Sequence, residues 1–125
     1  MFEWRDRFAA GGVQISRAIA WIRDHLAERL RIAEVAAAAG MSASSLHAHF
    51  KAVTGMTPLD FQKQLRLQAA RQLMLADGAN AGSAGFAVGY ESPSQFSREY
   101  RRLFGAPPRA DVTRMLAGGD AASAY

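Results

Sequence analysis

Six polar side chains, Ser94, Gln95, Ser97, Arg98, Arg101 and Arg102, crowd into one short stretch of the chain. They supply hydroxyls, an amide and three guanidinium groups, which make hydrogen bonds rather than reactions. An arginine in such a set can fork onto guanine O6 and N7. Fifty positions earlier stands a second set, Ser44, Ser45, His47, Ala48 and Lys51. It offers hydroxyls, an imidazole, an ammonium suited to phosphate, and a bare methyl at Ala48 where its counterpart is Arg98.

Reactive constellations are missing. His25, His47 and His49 are the histidines of the chain. His47 and His49 are two apart, point to different helical faces and cannot chelate one metal as an i, i+4 pair could; His49 is expected to pack half-buried. Asp and Glu are scattered, and no Ser–His–Asp set stands out. The glycines between Gly78 and Gly89 lack the preceding strand that a nucleotide-binding loop requires. The expectation is therefore no enzyme, no metal and no cofactor.

Both polar sets sit inside one repeated pattern. Ser42–Phe50, closing on Gly55 and Thr57–Pro58, returns as Ser92–Tyr100, closing on Gly105 and Pro107–Pro108. Each copy follows an Ala-rich segment that ends in glycine, Ile32–Gly40 and then Ala81–Gly89. A short helix, a glycine turn and a capped second helix make a helix-turn-helix.

The whole chain reads as all-α, since alternating β-branched and aromatic runs are absent. Met1–Ala10 reads as an amphipathic turn or two before a break at Gly11–Gly12. A first helix is expected from about Gln14 to Leu30, with Ile15, Ile19, Ile22 and Leu26 on one stripe. A second covers Ile32–Ala39 and stops at Gly40. The third opens on Ser42 as N-cap, turns Leu46, Phe50 and Val53 inward and ends at Gly55.

Thr57 caps the fourth helix, and Pro58 fits its first position because the missing N–H would be unpaired there anyway. That helix, with Phe61, Leu65, Ala69 and Leu73 along it, runs to about Ala76. The fifth, Ala81–Val88, contains Gly82 and Gly85 at roughly 1 kcal/mol each against alanine, and so depends on packing by Phe86 and Val88. The sixth has Ser92 as cap, Pro93 at the first position and Gln95 placed to complete a capping box; Phe96, Tyr100 and Leu103 face inward. A seventh follows Pro107–Pro108 to about Leu116.

The organisation expected is a leader or linker remnant over residues 1–12 and one domain over 13–117. Within the domain, 13–57 forms a first lobe, 58–77 a linker helix and 78–117 a second lobe; residues 118–125 form a flexible tail. About eighteen residues of linker helix span roughly 27 Å. Two recognition helices so joined can lie one DNA turn apart and, being unlike, read an asymmetric site.

Composition agrees with a polyanionic partner. The 125 residues carry a formal charge of +4 and a sequence pI of about 10.1, and the basic residues are nearly all arginine, the better bidentate donor. There is no cysteine, which suits a reducing cytoplasm. The opening residues are charged where a signal peptide would be apolar, and no run is long enough to span a membrane. A cytoplasmic protein is expected.

The run Val88–Pro108, VGYESPSQFSREYRRLFGAPP, strongly resembles the signature of the AraC/XylS family of bacterial transcription regulators. Glu34–Pro58 and the helix after it resemble the same family's first helix-turn-helix and linker helix, so the likeness extends from about Ile15 to Leu116. The resemblance implies a seven-helix, two-lobed domain that binds double-stranded promoter DNA and usually activates transcription through RNA polymerase. Its base-contacting positions correspond to Ser44, His47 and Ala48 in the first unit and to Ser94, Gln95, Ser97 and Arg98 in the second. Members commonly carry arginine where this chain has Ala48. Most are also longer, with an N-terminal effector-binding and dimerising domain for which the residues before the first expected helix leave no room; the expectation is either a stand-alone member or, the reading favoured, a fragment of a longer regulator, monomeric as such. The alternative is a helical protein-interaction module that uses both units as scaffold and does not read DNA.

Overall fold

A computed structural model describes the backbone of residues 2–123 and the side chains of residues 11–118. The protein is all-α, with seven helices and no strand among the described residues: α1 Phe2–Asp24, α2 Ile32–Ala39, α3 Ala43–Thr54, α4 Pro58–Ala76, α5 Ala81–Ala87, α6 Pro93–Phe104 and α7 Pro108–Ser123. The chain divides into two compact units, Met1–Lys63 and Gln64–Tyr125, so that α4 contributes its first turns to one and its remainder to the other.

In the first unit α1 is unbroken through Gly11–Gly12, where a break was expected. Two glycines weaken a helix by about 1 kcal/mol each, but Gly11 is where another side chain closes in. A Cβ there would lie 3.2 Å from Cδ2 of His49, so the small residue admits the α3 imidazole against α1. The amphipathic character expected of Met1–Ala10 concerns side chains outside the described residues. The helix stops at Asp24, well short of Leu30. Past that point the carbonyls of Leu26 and Glu28 turn to the amide Nε2 of Gln62, at 3.3 and 2.9 Å. Gln62 is buried and thereby fixes the α1–α2 connection.

Ile15, Ala18 and Ile22 of α1, Val35, Ala36 and Ala39 of α2, and Leu46 and Phe50 of α3 are buried. Phe61, at the start of α4, meets Phe50 edge-on with ring centroids 5.3 Å apart. Each such aromatic or branched side chain withdrawn from water is worth roughly 1.5–3 kcal/mol.

The second unit has its own core of Leu67, Ala70, Met74, Ala84, Val88, Tyr90, Phe96 and Tyr100, with Phe104 and Val112 packed against it. Two expected core residues are elsewhere. Phe86 is 79 % exposed and Leu103 is 39 % exposed. Gly85, by contrast, is buried, and a Cβ on it would stand 2.8 Å from Phe96 Cδ2. Close approach of the Phe96 ring to the α5 backbone replaces the packing expected of Phe86. The first unit carries Ala36 at the matching place, as shown by parallel bonds: Met41 N–H donates to Ala36 C=O and Tyr90 N–H to Gly85 C=O, both at 2.9 Å. Fifty positions before Phe96, that unit has the smaller Leu46.

The α7 helix continues to Ser123, past the Leu116 end read from sequence, so the expected tail is helical over residues 118–123; residues 124 and 125 lie outside the described part. Asp111, in the first turn of α7, is fully buried. It accepts from Arg71 Nε and Nη2 at 3.0 Å each, from Tyr100 Oη at 2.6 Å and from Arg114 Nη2 at 3.0 Å. Arg71 also covers the Phe104 ring, its Cζ 4.1 Å from the centroid. Burial pushes the Asp111 carboxyl up, but Tyr100, Arg71 and Arg114 outweigh it and hold the group below the usual carboxylate range. Tyr100 moves the other way: burial and its bond to Asp111 push the phenol well above its ordinary value.

Candidate nucleic-acid interface

The two presenting helices begin alike. Ser42 Oγ accepts from Ser45 N–H and Ser92 Oγ from Gln95 N–H, both at 3.2 Å. Each ends at a left-handed glycine, Gly55 with φ 78° and Gly105 with φ 85°, a conformation that side chains with a Cβ rarely adopt. These local devices set α3 and α6 to equal length, fifty positions apart. Leu46 and Phe50 face inward in one, Phe96 and Tyr100 in the other. What remains outward is the polar face.

On α3, Ser44, His47, Ala48 and Lys51 are exposed and Ser45 is half-buried. His47 Nδ1 lies 3.3 Å from the Ala43 carbonyl. A carbonyl only accepts, so Nδ1–H donates and Nε2 is the ring nitrogen left for another partner. His49 is exposed, against the half-buried setting expected, with Nδ1 donating to the Ser45 carbonyl at 2.9 Å. Its ring nevertheless leans on Gly11, so it belongs to the α1–α3 contact rather than to the polar face.

On α6, Ser94, Gln95, Ser97, Arg98, Arg101 and Arg102 are all exposed. The structure thus gathers the six onto one helix, with three cations among them. Among the described residues Arg98, Arg101 and Arg102 have no carboxylate partner. The capping box is half made. Ser92 caps the Gln95 amide N–H, but the Gln95 side chain turns forward instead of back, donating from Nε2 to Glu99 Oε2 at 2.8 Å. A capping box would have Gln95 Oε1 accept from the Ser92 N–H, a neutral pair, whereas the Glu99 carboxylate one turn on gives Nε2 a stronger, charge-assisted bond.

Sequence reading missed the residues that support this face. Glu99 is half-buried and its Oε1 accepts from Tyr90 Oη at 2.7 Å. Arg66 of α4 lies over the Tyr90 ring, Cζ 5.8 Å from the centroid. Burial and the bond to Glu99 push the Tyr90 phenol well above its ordinary value. The i, i+4 spacing of Gln95 and Glu99 was available as a signal; the approach of Tyr90 and Arg66 was not.

Two capped helices, each second in a helix-turn-helix and each with a polar outer face, define a paired helix-turn-helix protein. Residues 35–114 match the family described as "Helix-turn-helix domain". The HTH-type transcriptional activator RhaS of Klebsiella pneumoniae (strain 342) is 32 % identical over 96 residues, covering 77 % of this chain and 34 % of that protein. A transcriptional regulator from Chromobacterium violaceum with an AraC-type DNA-binding domain superposes with a TM-score of 0.78 at 28 % identity, covering 85 % of this chain and 95 % of that one. The DNA-binding domain of AdpA, solved in complex with a target DNA, gives a TM-score of 0.73 at 25 % identity, covering 83 % of this chain and 95 % of that one.

The chain belongs to the AraC/XylS family of helix-turn-helix transcription regulators and carries that family's DNA-binding domain. It spans about a third of the length of the curated relatives it matches. Among the described residues no helix is long and apolar enough to cross a membrane.

Proposed function

We propose that this chain binds double-stranded promoter DNA sequence-specifically through both α3 and α6, and that it activates transcription together with RNA polymerase. The observation that carries the reading is the α6 face, where an amide, two hydroxyls and three arginines stand exposed on a helix with a buried aromatic back. In a helix-turn-helix the second helix lies in the major groove with its N-terminal half against base edges. Sequence discrimination is assigned mainly to Ser94, Gln95, Ser97 and Arg98, with Arg101 and Arg102 nearer the backbone. α3 contributes through Ser44, Ser45 and His47 and, at phosphate, through Lys51; Ala48 offers only a methyl.

Because the two faces differ chemically, one copy of the chain reads two unlike half-sites. The target is then directional, and the chain binds it as a monomer. Relatives named as transcriptional activators support the activating role.

Selection of bound duplexes from a randomised pool, followed by footprinting, tests this. Two unlike protected blocks of fixed order are expected, with affinity falling steeply as salt rises because phosphate contacts release counterions. One short block would restrict reading to a single helix. No selection of sequence, with weak salt dependence, would favour a protein-interaction module instead.

A further inference from the structure

Gln95 does not rest free on the α6 surface; its amide is turned by a chain of contacts inside the second unit. Nε2 donates to Glu99 Oε2 at 2.8 Å, while Glu99 Oε1 is held by Tyr90 Oη at 2.7 Å. Tyr90 is itself buried, under the Arg66 guanidinium, which also attracts Glu99. An ionised carboxylate only accepts, whereas an amide has a donating and an accepting end. Turning the Gln95 amide over would set its Oε1 against the Glu99 oxygen, lone pair to lone pair. One orientation is therefore enforced, and the outward edge is left with Oε1 as acceptor beside the second N–H of Nε2.

In the major groove adenine presents an N6 donor beside an N7 acceptor, cytosine an N4 donor, and guanine and thymine present keto acceptors. We propose that Glu99 is a positioning residue for sequence readout: by fixing which end of the Gln95 amide faces outward, it makes α6 favour an amino base, adenine first, over a keto base at the pair Gln95 meets. This rests on the reading of α6 as a recognition helix. Removing Glu99 frees the amide to offer N–H instead and admits guanine or thymine.

The test uses the full chain and a duplex obtained from the randomised pool, with each base pair then changed singly. Relative affinities are measured for the wild type, Gln95→Ala, Glu99→Gln and Tyr90→Phe. Removing the Glu99 charge strengthens binding to every duplex, so the readout is the ratio of amino-base to keto-base affinity at one position, in which that general effect cancels. The wild-type ratio is expected to be about fivefold or more, Gln95→Ala and Glu99→Gln to bring it near one, and Tyr90→Phe, which keeps the buried ring, to reduce it in the same direction. Preferences at other positions stay unchanged. A ratio lost in Gln95→Ala but intact in Glu99→Gln and Tyr90→Phe overturns the role of Glu99 and leaves DNA reading by α6 standing. Preferences untouched by Gln95→Ala overturn the assignment of α6 itself.

Discussion

The hydroxyl of Tyr100 meets Asp111 at 2.6 Å in the same register in which the first unit sets Phe50 edge-on to Phe61. Tyr100 stands fifty positions after Phe50, and Asp111 fifty after Phe61. One repeat therefore closes its core with an aromatic pair and the other with a buried carboxylate, which obliges Arg71 to enter as counter-ion. Burying a charge is costly unless it is paired and hydrogen-bonded, and here three donor groups complete it.

Asp111→Ala is expected to destabilise the second unit by roughly 3–5 kcal/mol, because it strands a half-buried guanidinium and a buried phenol. Arg114→Ala, whose side chain is 61 % exposed, should cost at most about 1 kcal/mol. Urea unfolding followed by circular dichroism compares the two. Equal small losses would show that Arg71 and Tyr100 find water once the carboxylate is gone.

The same network sets a pH window. The Asp111 carboxyl is held low in the folded chain, so its contribution is present above the unfolded carboxylate value of about 3.9 and is lost as pH falls through the folded value. Tyr100 is raised, so its contribution is present below about pH 10 and is lost as pH rises through its folded value. A plateau of stability between those limits is expected, with its acid edge flattened in Asp111→Asn. Thermal melting across the range measures it, and an acid edge identical in that variant would assign acid unfolding to other carboxylates.

Gly82 and Gly85 should respond oppositely to alanine. At Gly82 a Cβ meets only Asn80 Oδ1 at 3.5 Å, so Gly82→Ala should gain up to about 1 kcal/mol of helix propensity. At Gly85 the new methyl would overlap the Phe96 ring, and overpacking of this kind costs roughly 1–3 kcal/mol. Melting temperatures moving in the same direction would contradict the packing described for α5 against α6.

On DNA, Arg98→Ala is expected to cost about 1–3 kcal/mol and to relax preference at one base pair. Lys51→Ala should weaken binding evenly across sequences and flatten the salt slope by about one unit. Titrations at several salt concentrations against a selected site and an unrelated duplex separate the two. An equal loss on both duplexes would make Arg98 a phosphate contact. Ala48→Arg is expected to strengthen binding at the first half-site, and unchanged affinity across variants of that half-site would show that the position does not reach the groove.

What the sequence determined by itself was whatever fits within a few neighbouring residues. Ser42 and Ser92 reach an N–H three positions on, Gly55 and Gly105 relieve a left-handed turn, and Leu46, Phe50, Phe96 and Tyr100 recur at helical spacing, so α3, α6 and their polar faces were legible. The tertiary structure alone decided which distant groups meet: Gln62 with the Leu26 and Glu28 carbonyls, Arg71 with Asp111, Tyr90 with Glu99, Phe96 with Gly85. Those choices depend on how close helices approach and on the need of each buried polar atom for a partner, neither of which is carried by any local pattern. That is why Phe86 read as core yet faces solvent, and why Asp111 read as one of many scattered carboxylates yet lies at the centre of the second unit.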